Sequence, residues 1–88
     1  MHERGIVEDL IRHAESLCAG HSEGASRINL TVGALSGVDP RYISEYMRLL
    51  TRDDSPLAGA EVFVEMSNDI TEPGAASVRI DTMIFEDE

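Results

Sequence analysis

Apolar residues recur along this 88-residue chain at two different spacings, and the order of those spacings restricts the fold more than any single motif does. In the first stretch Ile6, Val7, Leu10, Ile11, Ala14, Leu17 and Cys18 fall at helical intervals and make one stripe, which predicts a helix over 4–19. Glu8 and Arg12 are an i,i+4 pair on its other side, with Asp9 and Glu15, and Gly20 is placed to end it. The spacing then drops to two. In SRINLTVG (26–33) Ile28, Leu30 and Val32 alternate with Arg27, Asn29 and Thr31, the pattern of a half-buried strand. Helical spacing returns in Ile43, Tyr46, Met47 and Leu50, introduced by Asp39 as an N-cap and Pro40 as the first helical residue. Two further alternating runs follow. EVFVEM (61–66) sets Val62, Val64 and Met66 on one face. SVRIDTMIFEDE (77–88) sets Val78, Ile80, Thr82 and Ile84 against Arg79, Asp81, Met83 and Phe85.

The predicted order is therefore α-β-α-β-β, an α+β fold with two helices packed on one face of a three-stranded mixed sheet, in a single domain over 1–88. The first two strands, joined through a helix, should be parallel. The last two, joined by SNDITEPGAA (67–76), should form an antiparallel hairpin. Met83 and Phe85 would then lie on the outer face of an edge strand, where they would seed a homodimer.

Charge narrows the function classes. Seventeen acidic residues face seven basic ones, all arginine, for a formal charge of −10. That argues against nucleic acid, whose phosphates need clustered positive charge, and suits cationic partners or metal ions. Cys18 is the sole cysteine, so an intrachain disulfide and a cysteine-rich zinc site are both excluded and no zinc is expected. The mixed-charge start does not read as a signal peptide, and no apolar run approaches the roughly 20 residues that cross a bilayer, so no membrane partner and a cytoplasmic location are expected. No nucleophile motif, phosphate loop or paired-carboxylate arrangement is recognisable, which reads as a protein that is not an enzyme.

The start, Met1-His2-Glu3, carries one concrete chemistry. Methionine is retained before a large second residue, so the α-amine should be free. The Met1 amine, the His2 amide nitrogen and His2 Nδ1 can then close adjacent five- and six-membered chelate rings around one ion. Displacing an amide proton selects nickel(II) or copper(II), which suit tetragonal nitrogen sites. Glu3 stands beside the chelate. Taken alone, His2 reads more readily as an exposed residue at the chain start than as a metal ligand. His13 and His21 read as surface, Cys18 as a core residue, and Glu3 also complements the helix dipole.

The wider pattern bears on that choice. MHE at the start, VGALSGVDP (32–40) and LAGAEV (57–62), in this order and separation, resemble the HypA family of nickel-insertion accessory proteins for nickel–iron hydrogenase maturation, HybF included. The similarity runs through residues 1–66 and resumes at the closing strand. It implies a nickel metallochaperone with its site at Met1, His2 and Glu3, Asp39 as a nickel neighbour in some family members, and a HypB-type GTPase and the hydrogenase large subunit as partners, with urease as another client. The family's zinc domain with paired CxxC motifs has no counterpart here, and the short connection at about 67–76 stands in its place. That departure leaves a second reading: a zinc-less paralogue acting as an adaptor in metalloenzyme assembly, with little metal binding of its own. A small enzyme or ligand-binding domain is a third.

Overall fold

The computed structural model describes residues 3–86. Its elements are α1 (Glu3–Leu17), β1 (Ala25–Val32), α2 (Pro40–Leu50), β2 (Glu61–Met66) and β3 (Val78–Phe85), the order and types read from the spacing. Both helices pack against one another and against the sheet, giving the expected α+β arrangement. Val7, Leu10, Ile11 and Ala14 of α1 meet Ile43 and Met47 of α2 over Ile28, Leu30 and Val32 of β1. Fully burying one such aliphatic side chain contributes about 1.5–3 kcal/mol, so this layer supplies most of the drive to fold. Leu17 is the exception in the α1 stripe, 44% exposed at the helix end. Cys18, one residue on, is buried, and Gly20 takes the left-handed φ of +88° that a helix stop requires.

The sheet order is β2-β1-β3. β1 and β2 are parallel in unbroken register from Arg27↔Glu61 to Val32↔Met66, as the intervening helix requires. The expected hairpin between the last two strands does not form: β3 pairs antiparallel with β1 instead. The reason is visible in burial. Ile28 and Val32 have no exposed surface and Leu30 almost none, so β1 is the strand that belongs in the centre. β2, with Glu61, Phe63 and Glu65 exposed, belongs at an edge. The connection after β2 wraps the end of β1: Ser67 N donates to Val32 O (2.9 Å), and on the far side Gly33 N donates to Ser77 O (2.8 Å) and Leu35 N to Ala75 O (2.7 Å).

A second correction concerns β3. Its register slips against β1 between Asn29 and Leu30, where the partners jump from Thr82 to Ile80. That bulge at Asp81 and Thr82 reverses which face the later side chains take. Val78 and Ile80 pack on the core as expected, but so do Met83 and Phe85, while Ile84 turns out, 43% exposed. The outward Met83–Phe85 patch expected to seed a homodimer is therefore not on the outer face.

Two glycines bracket β1. Gly24 has φ +72°, and a Cβ there would press into the Pro56 carbonyl, which itself accepts from Ala25 N (3.0 Å). Gly33 has ordinary φ, but a Cβ there would meet the Ala75 and Gly74 carbonyls. Each glycine lets one long connection dock against one end of the central strand.

Candidate metal centre

Met1 and His2, which would supply all three chelate donors, lie outside the described residues, so of the expected site only Glu3 is described. Glu3 opens α1 and is 9% exposed, the most buried charged residue described. A carboxylate in the first turn is favoured by the positive end of the helix. Val7, on the same face one turn on, is fully buried, so the beginning of α1 is held on the core.

Asp39 does what the capping pattern predicted. Its Oδ1 accepts from Arg41 N at 2.9 Å, ending the unpaired donors of α2, and Pro40 occupies the first helical position. The Arg41 guanidinium adds Nη2 to Oδ2 at 2.8 Å and Nε to Oδ1 at 3.2 Å. These hydrogen bonds hold the Asp39 carboxyl below its ordinary value. Both of its oxygens are thus engaged by Arg41, and capping is the role the geometry displays.

The remaining metal-ligand types are spread out. His13 is exposed on α1. His21, read from sequence as plain surface, is half-buried and stacks on Phe85 with ring centroids 3.7 Å apart. That contact had no signature in the spacing, because it depends on the bulge that turns Phe85 inward. Cys18 is buried as expected, and burial pushes its thiol up. Among the described residues, no three His, Cys or carboxylate side chains converge as a metal-holding group. No described helix is long and apolar enough to cross a membrane.

The fold matches that of two solved HypA structures. The solution structure of the Ni metallochaperone HypA from Helicobacter pylori superposes with a TM-score of 0.77 at 14% identity, covering 100% of both chains. A second solution structure of HypA protein gives a TM-score of 0.70 at 15% identity, covering 100% of this chain and 98% of that one. The search of curated proteins finds no match. The family model for HypA, described as hydrogenase/urease nickel incorporation, metallochaperone, matches residues 1–72. This chain belongs to the HypA family of nickel-incorporation metallochaperones.

Proposed function

We propose that this chain carries nickel(II) as cargo on Met1, His2 and Glu3 and passes it to an apo-enzyme during assembly, acting as a carrier and not as a catalyst. The supporting observation is that the family match begins at residue 1 and so takes in Met1, His2 and Glu3, the last of which opens a helix whose first turn is seated on the core. The Met1 amine, the His2 amide nitrogen and His2 Nδ1 supply three donors in a plane, and Glu3 offsets the helix dipole that would otherwise repel a dication. A nickel–iron hydrogenase is the client, urease the alternative, with a HypB-type GTPase and the hydrogenase large subunit as partners in the cytoplasm. The family match stops at residue 72, inside the connection that joins β2 to β3. We read that connection as standing where family members carry a zinc lobe. With Cys18 the only cysteine, and buried, the chain has no paired CxxC to hold zinc.

Nickel titration of protein with a native N-terminus tests this directly. Near pH 8 we expect one equivalent to bind with a yellow square-planar absorption band. His2→Ala should abolish the band, and affinity should fall towards pH 6 as protons compete with nickel for the amine and imidazole. Equal weak binding by both proteins would overturn the assignment.

A further inference from the structure

Both outer strands of the sheet are edges, and the β2 edge has unusual surroundings. Its six residues make no backbone hydrogen bond to any described segment other than β1. Beside it, on the helix side of the sheet, a cleft of about 320 Å³ opens between α2 and the 51–60 loop. Ile28 and Val62, paired in register, form its floor, Met47 and Leu57 its apolar walls, and Arg48 and Asp53 its rim. The two rim charges offset one another, so the cleft is close to neutral and apolar at depth.

The other face of β2 is acidic. Glu61 and Glu65 point there, both exposed and, among the described residues, neither in an ion pair, while the Phe63 between them carries the Arg27 guanidinium 3.7 Å from its ring centroid. A strand added along this edge would alternate between the two environments. Its inward side chains would enter the cleft beside Val62, and its outward ones would stand opposite Glu61 and Glu65.

We propose that the β2 edge receives an extended segment of a partner protein in which apolar residues alternate with lysine or arginine. Main-chain pairing with β2 supplies the attachment, the cleft reads an apolar side chain, and the two glutamates read the cations. A second copy of this chain is the wrong occupant. Antiparallel pairing of β2 with β2 about Phe63, the register that overlaps the two glutamates, sets Glu61 against Glu65 on a molecule of formal charge −10, which disfavours self-association along this edge. The inference is independent of the nickel site, since β2 lies in another part of the chain from Met1, His2 and Glu3.

The test uses the full chain and the capped peptide KVKLKV. We expect saturable binding by NMR, with shift changes and added amide protection along Glu61–Met66 and shifts at Met47 and Leu57. The peptide EVELEV, and the proline-interrupted KVPLKV, should each bind at least roughly tenfold more weakly. The double variant Glu61→Lys, Glu65→Lys replaces only exposed side chains and should show the same loss with an unchanged fold by amide dispersion. The proposal is overturned by an absence of binding at millimolar peptide, by equal binding of KVPLKV, by shifts confined to β3, or by a concentration-dependent dimer that itself protects β2.

Discussion

The two flanks of β1 are held in different ways. On the β2 side the register runs unbroken through six pairs, and the one side-chain contact described across the open face is Arg27 over Phe63. On the β3 side the register slips twice, and side chains bridge the strands repeatedly. Asn29 Nδ2 donates to Thr82 Oγ1 at 2.8 Å, Ser26 Oγ donates to the Ile84 carbonyl at 3.2 Å, and Thr31 Oγ1 donates to Asp81. Arg79 then joins Asp81 to Glu72, tying β3 to the connection that delivered it. The difference follows from how each strand arrives. β2 is placed by a helix crossover whose buried face fixes its position, whereas β3 arrives over a connection without regular structure and is pinned by its bulges and polar pairs.

The sharpest way to break this contrast is at the two bracketing glycines. Gly24→Ala imposes both a left-handed φ and a collision with the Pro56 carbonyl, so it should cost about 3 kcal/mol in urea unfolding. The damage should fall on the β2 side, where the 51–60 loop docks, and should reach Cys18, which interacts with the Ala25 backbone. Cys18 is buried with its thiol pushed up, so it should react slowly with a disulfide reagent in the parent and much faster in this variant. An unchanged rate alongside the full loss of stability would show that the loop does not guard the thiol.

Gly33→Ala should cost less, about 2 kcal/mol, because φ there is ordinary and only the contact with Ala75 and Gly74 must be relieved. Its signature should be faster amide exchange in β3 and in 67–77, with β2 little altered. If both strands loosen equally, the two flanks are one cooperative unit and the contrast fails.

These sites also show what was legible in the sequence. Elements and their order followed from spacing, and so did the Asp39 cap, because each is written in residues close together in the chain. Strand neighbours were not. Alternation says which face a side chain takes, never which strand lies beside it, so β3 was paired with β2 when the more completely apolar β1 was the centre. The Asp81–Thr82 bulge lay beyond the pattern too, since polar Asp81 and Thr82 are plausible in either phase. It moved Met83 and Phe85 onto the core and gave His21 its ring partner. The Met1, His2 and Glu3 expectation drew its weight from the resemblance carried by VGALSGVDP and LAGAEV.

A smaller effect separates the flanks chemically. Thr31 is 7% exposed and donates to the Asp81 carboxylate, so Thr31→Val keeps the shape and removes the donor. About 1 kcal/mol should be lost. Phe63→Leu, the matching change on the β2 side, removes the ring beneath Arg27 and should cost about 0.5 kcal/mol, since that contact is partly exposed. Denaturation midpoints of both single variants and the double should be additive, as the pairs share no atoms. A large coupling would mean that the strands transmit strain across β1.

The smallest difference should appear only in acid. Asp69, at the β3-side connection, accepts from Thr71 Oγ1 (2.6 Å) and Thr71 N (2.9 Å), while Asp39, before α2, is held chiefly by Arg41. Both carboxyls are lowered from the ordinary value of 3.8 by those hydrogen bonds. A folded-state carboxyl below its unfolded value stabilises fully above that unfolded value, and the contribution fades as pH falls through the folded one. Both carboxyls should therefore make constant contributions at neutral pH that are lost below about pH 4. Asn can still cap a helix, so Asp39→Asn should keep α2 while flattening its share of the acid loss. Asp69→Asn should flatten the other share. The two should differ in salt dependence: the Asp39 share, resting on the 87% exposed Arg41, should shrink at 1 M salt, and the Asp69 share, resting on uncharged donors, should persist. Thermal midpoints from pH 7 to 2 at low and high salt measure this, and equal salt sensitivity of the two would remove the distinction between a charge-held turn and a hydroxyl-held one.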